Sequence, residues 1–223
     1  MPVKLVSWFL RPRTIWCPTL LGWIVILGAF LTPVLAWWTR GESYLCTSQR
    51  IASEILVVEG WVGQETVEAA AAEISLGGYR WIVAAGGPNG ERWNRVRWTF
   101  AEIAEDGLIG AGVSREKIIP APARDVEAQR TFESALAVQQ ALAKQGLRPQ
   151  ALMIFTRGSH ARRSQLVYTK VFGPSTKVGV ISWLPPSPQI EPWWHSSTRA
   201  KDLMTETIGF LYEALLDSGR STK

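Results

Sequence analysis

Cysteine and histidine are scarce in this 223-residue chain, with two of each. Cys17 and Cys46 alone cannot build a disulfide framework or a cysteine-based metal site. No metal-ligand spacing connects His160, His195 and a carboxylate. Tyr44 and Leu45, both bulky, precede Cys46, which excludes a lipoprotein pattern there. Also missing are a phosphate-loop lysine motif and a nucleophile elbow. Gly107, Gly110 and Gly112 have dinucleotide-fingerprint spacing, but they fall at the end of an expected helix, where there is no phosphate to cradle. There is no internal repeat and no low-complexity linker. Positive charge is modest as well. The net value is +5, and residues 1–45 hold +3 of it, leaving +2 for the remainder. That excludes the basic footprint of a nucleic-acid binder.

Tryptophan, by contrast, is abundant at twelve residues, and five of them lie in the first forty. The stretch 15–38 carries no charged side chain. It is about as long as a helix needs to cross a ~30 Å hydrocarbon core. Trp16 at one end and Trp37–Trp38 at the other resemble interfacial aromatic anchors, and Pro18 and Pro33 fall near the two ends. Lys4, Arg11 and Arg13 precede the span, whereas Arg40 and Glu42 after it nearly cancel. The positive-inside rule then places residues 1–14 in the cytoplasm and the rest of the chain outside it. A signal peptide cut after Val34-Leu35-Ala36 is the competing reading, but the apolar stretch is long for one.

After a linker at 39–50, residues 51–218 alternate short apolar runs with amphipathic stretches, and 219–223 form a tail. Strands are expected at Ile55–Val58, Trp81–Ala85, Lys117–Ile119, Leu152–Phe155 and Val178–Ser182. Helices are expected at Gln64–Leu76, Val96–Leu108, from an Asp125 cap to near Gly146, at Ser159–Val171 and at Thr198–Leu216. Continuous apolar strands between helices imply a Rossmann-like, doubly wound α/β fold with a mainly parallel five-stranded sheet. Ligands of such sheets sit beyond the carboxyl ends of the strands. Five segments share that edge: Glu59-Gly60-Trp61, Gly86-Gly87-Pro88-Asn89, Arg124-Asp125, Thr156 to His160, and Trp183-Leu184-Pro185.

The stretch Thr156-Arg157-Gly158-Ser159-His160-Ala161-Arg162-Arg163-Ser164 is the densest of these in chemistry. Backbone N–H groups at Ser159 and His160 and the helix dipole make a seat for phosphate or carboxylate, with Arg163 one turn on. His160 suits a general acid or base near neutral pH. The plainer alternative is a Ser159 cap with His160, Arg162 and Arg163 on a solvated face. Basic residues in a first turn oppose the dipole, so an anion is expected to compensate them. Glu59 at the first strand's end suits orienting a histidine, binding a hydroxyl or holding a metal, or else a surface ion pair. Gly60 and Gly63 suggest close backbone approach, and Gly86-Gly87 a tight turn or a ligand contact. Arg92, Arg95 and Arg97 interleave with Trp93 and Trp98, which suits an anionic lipid or sugar phosphate or a decorated helix start. Trp193-Trp194-His195 lies in a loop suited to a lid or to a bilayer contact.

Four segments together resemble the YdcF/SanA/ElyC family, a domain family of unknown function. These are Val57-Val58-Glu59-Gly60, Ala85-Gly86-Gly87, Thr131-Phe132-Glu133-Ser134-Ala135, and Thr156 through His160 to Arg163. The match covers about 53–183. The chain departs from the family pattern at Glu59, Ala85, Ser134 and Ser159. The resemblance implies an envelope-associated protein of cell-wall or surface-barrier biogenesis, with a site at His160, Arg163 and Glu133. From the residues alone, Glu133 pairs equally well with Arg130 at i,i+3. The expected ligand is a phosphorylated lipid or sugar intermediate, hydrolysed or transferred with His160 as acid or base and Glu133 or Glu59 orienting it. Thr131, Thr156, Ser159, Arg163, Gly60, Gly86 and Gly87 would line the ligand. The alternatives are a nucleotide-like or S-adenosylmethionine-binding module, with adenosine across Gly86-Gly87, and a non-catalytic partner of envelope machinery. No cofactor is assigned. The anchor reading predicts that protein recovered from membranes begins at its first residues on N-terminal sequencing; a mature start at Trp37 contradicts it.

Overall fold

The computed structural model describes residues 17–89, 98–186 and 191–215. The basic N-terminus, the stretch Arg92 to Arg97 and the 219–223 tail lie outside these. The chain divides into two compact units, Met1–Arg40 and Gly41–Lys223.

The first unit holds most of helix α1, Leu20–Leu45, which is long and apolar enough to cross a membrane. The helix carries Pro33 inside it and continues through residues expected to form a linker. Its last turn belongs to the second unit, where Gly41 and Leu45 are buried.

The second unit is built on strands β1 (Ile55–Glu59), β2 (Trp81–Gly86), β3 (Ile118–Pro122), β4 (Ala151–Arg157) and β5 (Lys177–Trp183). All pairings are parallel, in the order β3-β2-β1-β4-β5. β1 is buried along its whole length, as a central strand covered on both faces must be. Helices α2 (Gln64–Gly77) and α3 (Phe100–Gly110) cover one face through Val67, Ala70, Ala104 and Leu108. Helices α4 (Arg130–Lys144) and α5 (Ala161–Phe172) cover the other through Phe132, Val138, Val167 and Tyr168. The closing helix α6 (Ser197–Leu215) packs on α5. This is the expected doubly wound fold, with an all-parallel sheet.

Several helix starts differ from expectation, each for a local reason. α3 begins at Thr99, whose hydroxyl and backbone form a capping box with Glu102. α4 begins five residues after Asp125, following Gln129, a non-glycine residue at φ 58. Ser159 does not cap α5; Gly158–His160 forms a 3-10 turn, and His160 stands at the cap without a side-chain bond.

The topology puts the carboxyl ends of β1 and β4 side by side where the winding reverses, the place where such sheets open a crevice. The start of α3 closes in on this edge from one side. A Cβ on Gly60 would stand 1.9 Å from the Phe100 carbonyl oxygen, and one on Gly86 would stand 2.5 Å from the Phe100 Cβ. These two glycines therefore admit the protein's own helix, whereas Gly87 has no such neighbour closer than 3.7 Å. Gly60→Ala and Gly86→Ala should each lose about 1–3 kcal/mol in chemical denaturation, as overpacked sites do. Gly87→Ala should stay within about 0.5 kcal/mol.

Candidate functional site

Glu59 ends β1, and the β1–β4 register (Val58 beside Phe155) sets it abreast of Thr156. The carboxylate is 2 % exposed, so it needs donors in place of water. Thr156 donates its hydroxyl to Oε2 at 2.5 Å, and Ser164 from α5 donates to both oxygens at 3.0 and 3.1 Å. Ser164 lies one turn beyond His160 and shares its helix face.

His160 stands between two carboxylates. Its Nε2 faces Glu59 Oε2 at 3.4 Å, and its Nδ1 lies 3.0 Å from Glu206 Oε1. The imidazole side chain is 6 % exposed, and the Trp61 ring meets it edge-on at 4.6 Å between centroids. Nε2 is buried and makes no hydrogen bond among the described residues. An unmade bond of this kind costs about 1–3 kcal/mol. Nε2 is thus the one ring nitrogen open to a further hydrogen bond.

Arg163 carries no free fork for a ligand. Its Nε and one terminal nitrogen donate to Glu206 at 2.7 and 2.9 Å, and the other donates to the Thr131 hydroxyl at 3.0 Å. Glu206 reaches in from α6 and is buried. Burial pushes its carboxyl up. The charges and hydrogen bonds of His160 and Arg163 outweigh burial and hold it at about 2. Glu206 Oε1 accepts from Arg163 and lies 3.0 Å from His160 Nδ1, which also stands 3.0 Å from Arg163 Nη2; a proton on Nδ1 makes the Glu206 contact a charge-assisted hydrogen bond. Two carboxylates, Glu59 and Glu206, and one guanidinium, Arg163, thus surround the imidazole.

The expected anion at this helix start therefore exists, and the chain itself supplies it. The solvated-face alternative does not hold: His160 is buried, and Arg162 stacks on the Tyr44 ring at 3.8 Å. Of the residues read from the sequence, Glu59, Thr156, His160, Arg163 and Thr131 come together in one network. Ser159 is buried beside them in the 3-10 turn. Gly60 and Gly86 line the same edge but face Phe100. Glu133 lies in the first turn of α4, and Glu206 takes the place beside His160 and Arg163 expected for it. Trp193 is buried and Trp194 is partly exposed, at a short turn before α6.

Ser164 and Trp61 had no role assigned from the sequence, although both fall in segments placed at the ligand edge, and Glu206 was not reached. Ser164 was findable by its i,i+4 relation to His160, and Trp61 by its place two residues past Glu59. Glu206 had one signal: carboxylates at 206 and 213 alternate with an apolar stripe on the same helix.

Comparisons with protein-family models, curated proteins and solved structures find no match to this chain.

Glu206 titrates near 4.5 when exposed and about 2 in the fold. A depressed carboxyl adds stability above its unfolded value and loses it as pH falls. Glu206 should thus contribute on the order of 3 kcal/mol above pH 5, fading between about pH 4.5 and 2. Acid denaturation of wild type against Glu206→Gln checks this, and parallel pH profiles would contradict it.

Proposed function

We propose that this chain is a membrane-anchored, extracytoplasmic domain of the YdcF/SanA/ElyC kind. In this reading it serves cell-envelope biogenesis by binding, and hydrolysing or transferring, a phosphorylated lipid or sugar intermediate. One observation carries the reading: a buried imidazole at the sheet's switch point, fixed through Nδ1 and with Nε2 unbonded. Fixing one nitrogen sets the ring's orientation and leaves the other to exchange a proton with a ligand hydroxyl or leaving oxygen. Glu59 stands 3.4 Å from Nε2, beside the atom that would exchange the proton. Two further features support a ligand at this edge. Gln129, strained at φ 58, presents a buried side-chain oxygen without a partner two residues before Thr131. Arg124 and Arg157 stand at the ends of β3 and β4 with no ion pair among the described residues, so they are the cations available to a phosphate.

Support for anchoring comes from the apolar helix, and support for the outward side from Lys4, Arg11 and Arg13 before it. Membership of the family rests on the four segments quoted above. A second reading, a non-catalytic partner of envelope machinery, is favoured by the pairing of Arg163 with Glu206, which gives the network a structural use of its own.

Thermal-shift measurements on the full chain in detergent test the proposal, using isoprenyl phosphates, sugar nucleotides and S-adenosylmethionine. A ligand at ~100 times its dissociation constant adds about 2.7 kcal/mol. A phosphorylated compound should stabilise wild type, and Arg157→Ala should weaken that shift while leaving the unliganded protein within about 0.5 kcal/mol of wild type. Arg163→Ala should instead cost about 3–5 kcal/mol without any ligand, because it strands buried Glu206. His160→Gln should keep binding and lose turnover. A shift with S-adenosylmethionine alone, or none with any phosphorylated compound, would defeat the proposal.

A further inference from the structure

A surface helix normally turns apolar residues inward and charges outward. α6 does the reverse. Its buried positions are Leu203, Glu206 and Glu213. Glu206 is held by Arg163, and Glu213 lies 3.7 Å from the Lys170 ammonium. On its outer side stand Met204, Ile208, Leu211, Tyr212 and Leu215, from 44 to 75 % exposed. Their spacing of i, i+4, i+7, i+8 and i+11 forms one continuous stripe. Glu206 and Glu213 face the domain, Asp202 alone among the helix's carboxylates is exposed, and the oily stripe faces away.

Apolar surface of this extent in one stripe marks a contact. The same unit indicates which kind. The last turn of α1 docks beside α6: Arg199 grips Glu42 with two bonds of 2.8 and 2.6 Å, and the Tyr44 ring meets Phe210 edge-on at 5.7 Å. The chain therefore leaves this unit, at Gly41, next to α6, and the residues before it are the apolar span. Lys201 is exposed near the start of the stripe and Tyr212 lies within it. A cation and an amphipathic aromatic beside an oily stripe suit the headgroup boundary. The buried Glu206 and Glu213 keep negative charge off that side.

We infer that the outer stripe of α6 lies in the membrane interface, making this helix a second lipid contact of the chain. The inference rests on the anchoring part of the proposed function. It has a consequence for the site. Glu206 and the stripe are opposite sides of one helix, so lipid contact and the orientation of His160 are linked through α6.

The test uses the full chain with Cys17→Ser, reconstituted in phosphatidylethanolamine–phosphatidylglycerol vesicles. Cys46→Ser is introduced as well, so that no native thiol takes the label. A fluorophore is placed in turn at Ile208→Cys, at Ile26→Cys in the span, and at Glu68→Cys on α2, across the sheet from α5. Nitroxide-labelled lipids are then added. Position 208 is 71 % exposed, so the label fits without disturbing the core. Quenching at 208 should approach that at 26 and exceed that at 68 several-fold, as expected for a helix about 5–10 Å into the interface. Quenching at 26 with 208 matching 68 would overturn the inference and leave the anchor standing. No quenching at 26 would overturn both. Probe–probe self-quenching at 208 that rises with protein-to-lipid ratio, without lipid quenching, would assign the stripe to a second copy of the chain.

Discussion

A buried carboxylate is among the most expensive features a domain can carry unless a cation meets it, and Glu206 is such a group, met by Arg163. It enters from the last helix, forty-three residues after the arginine that neutralises it. Much else at the sheet edge follows from satisfying it. Arg163 must turn inward, Thr131 takes the remaining guanidinium donor, and His160 Nδ1 is set by the same oxygen. The helix that brings Glu206 in is thereby fastened to α5, so the site and the closure of the fold share one network.

Glu59 plays the matching part on the other side of the imidazole. Parallel pairing of β1 with β4 brings it level with Thr156, and two hydroxyls satisfy it where water cannot reach. The imidazole between the two carboxylates is held on one nitrogen and unbonded on the other. An asymmetric environment of this kind gives a histidine a direction for proton exchange. A symmetric one would only hold it in place.

The sheet was largely legible from residues alone, because uninterrupted apolar runs such as Ile55–Val58 and Leu152–Phe155 allow little other than buried parallel strands. Helix starts were less so. Asp125 offered a cap, but the chain passes it and turns at Gln129. The glycines at 60 and 86 pointed to close approach without saying of what, and the answer, Phe100, comes from a distant segment. In the site, His160 and Arg163 announced themselves by sitting together after a strand, but the anion beside them is the chain's own Glu206. It was hidden because a carboxylate on an amphipathic helix reads as solvent-facing. Only the apolar stripe on the opposite side betrays that α6 is turned inside out.

The central claim is that Glu206 orients His160 through Nδ1 and leaves Nε2 unbonded. With only two histidines in the chain, nitrogen-15 spectra of the imidazole rings in the full-length protein test it directly, using His195→Gln to assign the signals. His160 should show a hydrogen-bonded Nδ1–H that is lost in Glu206→Gln, and an Nε2 without a strong hydrogen bond in the unliganded protein. His160 ring signals that stay unchanged in Glu206→Gln would contradict it.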